Sequence, residues 1–265
     1  RIIVKVKKII GRSLLGLLCI VVAIVIIGVA QFHHRSNPKN LKQYETSNPF
    51  ITGETAISAH RSGAGEFPEE TLAAFRGCVE NANVQVDYFE FDLHMTADDI
   101  LVLSHDSTLD RVSDAAAVFG AENVLVRDKT LAELKELNMA AQFVSGAGEA
   151  PYADLHGDAV PDELRILSLD EVLDYLTSAG DYRYIIEIKD GGEVGLAAAD
   201  QLYATLKMRG LLDHVIVGSF RDEVADYITA NYPDMHRSAS PEEVMQFYFA
   251  ALNGKKDFAC YYDVL

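Results

Sequence analysis

The chain has 265 residues, a formal net charge of −17 and 49% hydrophobic residues, enough to bury one large core. All 40 acidic residues lie beyond position 44, whereas six of the 23 basic ones lie in the first 35, so residues 36–265 carry −23. A body that acidic argues against a nucleic-acid partner, and three scattered cysteines (Cys19, Cys78, Cys260) make no disulfide framework.

Residues 13–32, SLLGLLCIVVAIVIIGVAQF, carry no charge and are long enough to cross a bilayer as a helix. Residues 1–12 form a basic tail before them (Arg1, Lys5, Lys7, Lys8, Arg12), which favours a cytoplasmic N-terminus and a remainder outside the cytoplasm. The competing reading is a cleaved signal peptide with Gly28-Val29-Ala30 as its cleavage site, for which the apolar run is long. Residues 33–54, with Pro38, Pro49 and several Asn, read as a linker.

Beyond the linker, strand and helix patterns alternate. TAISAH (55–60) predicts a short strand, and Pro68 followed by EETLAAFRGCVENA predicts a helix with acids at its positive end. Residues 88–106, YFEFDLHMTADDILVLSHD, hold two strand-like runs around a polar elbow. Thr130 with Glu133, and Ser168 with Glu171, open helices as capping boxes. YIIEIK (184–189) is a strand, 194–209 a helix stopped by Gly210, HVIVGSF (214–220) a strand, and 223–230 a helix. Then come a short strand at 235–240, a helix at 241–252 and a strand at 258–265. Such alternation implies a parallel sheet with crossover helices, and 108–165 breaks the rhythm as an irregular insertion.

Glu90 and Asp92, two apart on a strand, share one face and offer oxygen donors suited to a hard divalent ion such as Mg²⁺ or Ca²⁺. Other chemistry-bearing residues cluster at strand ends: His60-Arg61, His105-Asp106, and Glu187 with Lys189. His94 offers a further imidazole. Taken singly, each has an ordinary structural explanation: a hydrogen-bonded histidine, a solvated strand face or an ion pair. Together, three carboxylates, two imidazoles, an arginine and a lysine on the strand ends of one sheet describe a metal-assisted phosphoryl site.

The string HRSGAGEFPEETLAAF resembles the HRG…PENT signature of the glycerophosphodiester phosphodiesterase family. FEFDLHMTADDILVLSHDSTLDRVSD resembles the block that follows it, IIEIK its E-x-K strand, and GSF at 218–220 a further strand end. Over residues 55–265 the resemblance implies a (β/α)₈ barrel that hydrolyses glycerophosphodiesters to glycerol 3-phosphate and an alcohol with a divalent metal. It implies Glu90, Asp92 and Glu187 as metal ligands, His60 and His105 as the acid/base pair, and Arg61 and Lys189 as phosphate holders. Glu69 is then expected in or beside the metal's ligand shell. Ser62 replaces the glycine of HRG, which leaves the path of that loop open. Six strands are counted, so the barrel is expected to lack its last two, and the chain reads as a fragment. Two other functions fit the same pattern: a phospholipase of the related barrel type, and a catalytically silent membrane-anchored binding protein.

Overall fold

The computed structural model describes residues 2–35, 48–51, 53, 55–255 and 257–265. The chain divides into two units, Arg1–Ile51 and Thr52–Leu265. In the first, helix α1 (Ile2–Arg35) runs unbroken through the apolar segment. Its span Arg12–His34 has a mean hydropathy of 3.0, and Leu14, Ile20, Val25 and Ile27 are all exposed. A helix apolar all round has the length and composition to cross a bilayer. Residues 2–12, in the basic tail, continue the same helix. The expected linker begins inside α1, and its residues 36–47, 52 and 54 lie outside the described residues.

The second unit is built on a parallel sheet in the order β1 (Ser58–Ala59), β2 (Tyr88–Met95), β4 (Arg183–Ile188), β5 (Val215–Gly218). Single parallel bridges, Val217 with Arg237 and Ser238 with Val264, carry the order two positions further. Six parallel positions in sequence order match the six expected strands and form the arc of a (β/α)₈ barrel. Among the described residues no pairing joins the Val264 segment to β1. The strands expected at 235–240 and 258–265 shrink to these bridges. The second strand-like run beyond the polar elbow is β3 (Leu101–Leu103), which folds back antiparallel on β2, pairing Leu103 with Leu93 and Leu101 with Met95.

The two faces of the sheet divide by residue type. Phe89, Phe91, Leu93 and Met95 of β2 and Tyr184, Ile186 and Ile188 of β4 are buried in the main core with Phe75 and the apolar sides of the helices. Glu90, Asp92 and His94 alternate with them and take the opposite face, as the period of a strand requires. Helix α2 begins at Leu72 (Leu72–Val79), later than expected, with Thr71 as its cap. Glu70 has φ +56° and cannot be helical, so Pro68, Glu69 and Glu70 form a loop that turns into the barrel mouth.

Residues 108–165 hold two short helices, α3 (Ala115–Phe119) and α4 (Leu131–Leu134), and the segment is not structureless. It closes on small apolar clusters, one around Leu109, Val126 and Leu134 that also takes in Val102 of β3, another around Ala140, Val160 and Leu164. Helices α5 (Leu169–Ala179), α6 (Gly192–Arg209), α7 (Asp222–Asn231) and α8 (Pro241–Leu252) lie where the sequence pattern puts them. All three cysteines are free.

Candidate active site

The site is assembled at the C-terminal ends of β1, β2 and β4, where the inward rows stop. Strand β1 ends at Ala59 because Arg61 (φ +47°), Ser62 (+60°) and Gly63 (+94°) wind into a left-handed turn. Ser62 itself takes the left-handed conformation usual for glycine, and it is buried. Gly63 is the position that admits no side chain: a Cβ there would lie 2.6 Å from Cys78 Sγ. The substitution in the HRG element therefore leaves a tight turn in place. That turn aims the Arg61 amide at Glu90, donating to Oε2 at 2.6 Å, and leaves His60 exposed with Nε2 4.0 Å from the same oxygen.

Asp92 lies level with Glu187 across the β2–β4 pair, so both side chains leave the sheet on one side. Lys189 Nζ sits between them, 3.1 Å from Glu187 Oε1 and 3.4 Å from Asp92 Oδ1. Burial pushes the Lys189 ammonium down, but Asp92 and Glu187 outweigh it and hold its pKa above the usual value. The Glu187 carboxyl is pushed up, by burial first and by Asp92, with Lys189 opposing. Asp92 is 1% exposed, and neither of its oxygens receives a hydrogen bond.

From His105 a chain of ion pairs leads back to His60. His105 Nδ1 lies 2.7 Å from Asp106 Oδ1, and Asp106 Oδ2 accepts from Arg111 Nε. Arg111 grips Glu69 with both terminal nitrogens, at 3.0 and 2.5 Å, and the Arg61 guanidinium approaches the same carboxylate to 3.5 Å. Burial pushes the Glu69 and Asp106 carboxyls up, but the arginine bonds win and hold both below the usual carboxylate range. Glu69 is thus an ion-pair partner of two arginines. A cleft of about 160 Å³ opens beside it, lined by Phe67, Arg111, Met139, Phe143 and Val144.

The structure therefore joins His60, Arg61, Glu69, Glu90 and His105 in one network, and Asp92, Glu187 and Lys189 in a second. Glu70 ties the second to the loop of the first: its Oε1 accepts from the Asp92 amide at 2.7 Å, and its own amide donates to the Arg61 carbonyl. Glu70 and Arg111 were not singled out from sequence. Arg111 stands in the L-x-R of the second block, and Glu70 in the PEE run, where it read as the acidic end of a helix. His94 is engaged elsewhere, its Nδ1 2.7 Å from Asp190 Oδ1.

Among the described residues no three His, Cys, Asp or Glu side chains converge ready-made on a metal. The donor chemistry nevertheless fits a hard cation: the candidate ligands are all carboxylates, and in one of them, the buried Asp92, neither oxygen receives a hydrogen bond although Lys189 lies 3.4 Å away.

The glycerophosphoryl diester phosphodiesterase family model matches residues 60–240. The chain is 29% identical over 167 residues to a glycerophosphodiester phosphodiesterase of Caldanaerobacter subterraneus subsp. tengcongensis, covering 63% of this chain and 58% of that one. It is 30% identical over 168 residues to that of Bacillus subtilis, covering 62% and 52%. The chain thus spans somewhat over half the length of these curated relatives. A solved glycerophosphoryl diester phosphodiesterase domain from Mycobacterium tuberculosis superposes with a TM-score of 0.58 at 22% identity, covering 77% of this chain and 67% of that one, which supports the barrel fold. On the family match and the order of its motifs, the chain belongs to the glycerophosphoryl diester phosphodiesterase family.

Proposed function

We propose that the chain hydrolyses glycerophosphodiesters to glycerol 3-phosphate and an alcohol. The observation that carries this reading is the convergence of both imidazoles, the two arginines and the inward carboxylates on the ends of β1, β2 and β4. Glu90, Asp92 and Glu187 would hold a divalent ion, Mg²⁺ or Ca²⁺, which when bound supplies Lewis-acid stabilisation to a phosphoryl oxygen. Lys189 would meet a phosphate oxygen as a point charge, and Arg61 would offer its planar fork. His60 and His105 would exchange protons with the attacking and leaving oxygens; the exposure of His60 and the bond from Asp106 that orients His105 support these roles.

The test is glycerol 3-phosphate release from glycerophosphocholine, glycerophosphoethanolamine and bis-glycerophosphate. His60→Ala and His105→Ala should each lower it by about 10²–10⁴-fold. Undiminished release in both variants would remove the histidines from the chemistry. A lipid substrate has one observation in its favour, the apolar wall of the cleft at Phe67, Phe143 and Val144. Cleavage of lysophosphatidylcholine in preference to all three water-soluble diesters would establish that alternative.

We propose also that α1 anchors the chain in the cell membrane, N-terminus inside, with the barrel outside the cytoplasm. Its support is the uncharged run and the basic residues before it. Protease added to intact spheroplasts should remove the barrel; full protection would reverse the orientation.

A further inference from the structure

The cleft beside Glu69 reaches the proposed chemistry from one side. Glu69, Arg111 and Met139 line both this cleft and the smaller space around His105. Its apolar walls come from two separate stretches: Phe67 from the loop after β1, and Phe143 and Val144 from the 108–165 insertion. Phe143 is held in place by Tyr152, with ring centroids 6.0 Å apart, and by the cluster around Ala140 and Leu164. The cleft measures about 160 Å³, and a cavity of about 150 Å³ holds a molecule the size of benzene.

The charged groups at its floor are already matched. Arg111 holds both oxygens of Glu69 and also pairs with Asp106, and Arg61 approaches Glu69 as well. Glu69 is the one carboxylate among the lining residues, so a primary ammonium or a polyol entering here would lose water without finding a free carboxylate. A quaternary ammonium has no N–H to satisfy, and aromatic rings attract it. The two substituents of a bound phosphodiester therefore meet unlike surroundings: the charged groups of Asp92, Glu187 and Lys189 suit a polyol, and the aromatic cleft does not. We infer that the cleft is the subsite for the leaving alcohol and takes choline, whose trimethylammonioethyl group is of benzene's size. Phe67 and Phe143 then select a quaternary ammonium over a primary one. This inference rests on the proposed hydrolysis of glycerophosphodiesters.

The experiment compares kcat/KM for glycerophosphocholine and glycerophosphoethanolamine on the 265-residue chain in detergent. Glycerophosphocholine should be preferred about tenfold, and Phe143→Ala should bring the ratio within about twofold. Phe143→Leu, which keeps apolar bulk against Tyr152, should narrow the ratio too, and Phe143→Tyr should preserve it. No preference in the unsubstituted chain, or an equal loss on both substrates in Phe143→Ala and Phe143→Leu, would overturn the inference. Faster cleavage of lysophosphatidylethanolamine than of glycerophosphocholine, abolished in Phe143→Ala, would overturn it by placing an acyl chain in the cleft. Failure of the underlying reading looks different: no diester is cleaved, while calorimetric titration with the two intact diesters still shows tighter binding of glycerophosphocholine. Equal binding of both in that titration would overturn the choline subsite as well.

Discussion

Asp106 faces two ways: one oxygen orients His105, and the other is held by Arg111, which in turn grips Glu69. An imidazole used for proton transfer needs its far nitrogen fixed, so that the near one meets substrate in a single tautomer. Asp106→Asn should therefore lower kcat by at least about tenfold while leaving KM within a few-fold. A variant that changes KM alone would make Asp106 a binding group. The residues proposed to carry the chemistry were readable because they are rare types at fixed spacing: two carboxylates two apart, and histidines at strand ends. Glu70 escaped because its φ, which no spacing reveals, takes it out of the helix its neighbours suggested. Arg111 escaped because its two partners lie 42 and five residues away.

At the scale of elements, local chemistry decided most boundaries. Ser168, Thr130 and Ser240 each take the amide three residues on, while Glu171, Glu133 and Glu243 reach back to the cap. Helix α5 also buries Leu169, Val172, Leu173 and Leu176 along one side, whereas α4 manages a single turn before the chain leaves it. Ser168→Ala should cost about 1 kcal/mol of unfolding free energy, measurable as a shifted urea midpoint at constant slope. No shift would mean that packing alone holds α5 in place. The strands at 235–240 and 258–265 could be foreseen only as patterns. How far such a pattern pairs depends on the neighbour it meets, and here the ladder is reduced to the bridges at Arg237 and Ser238. The insertion at 108–165 was least readable, because its small clusters join residues whose spacing has no regular period.

Over the whole molecule, one apolar helix and one acidic barrel unit share a chain whose first 35 residues hold six basic and no acidic residues and whose residues 36–265 carry −23. Barrel topology was readable from the alternation of strands and helices, and the inward face of β2 and β4 from their period of two. What no pattern could supply is the balance of charge inside the mouth. There Lys189 forms ion pairs with Asp92 and Glu187, yet neither Asp92 oxygen receives a hydrogen bond. On the proposed mechanism those inward carboxylates act through a divalent ion. The most direct test is glycerol 3-phosphate release from glycerophosphocholine after exhaustive EDTA treatment, then after return of Mg²⁺ or Ca²⁺. Release should fall to background with the chelator and recover with one of the two ions, and Asp92→Asn should not recover. Turnover that persists unchanged in EDTA would contradict the claim.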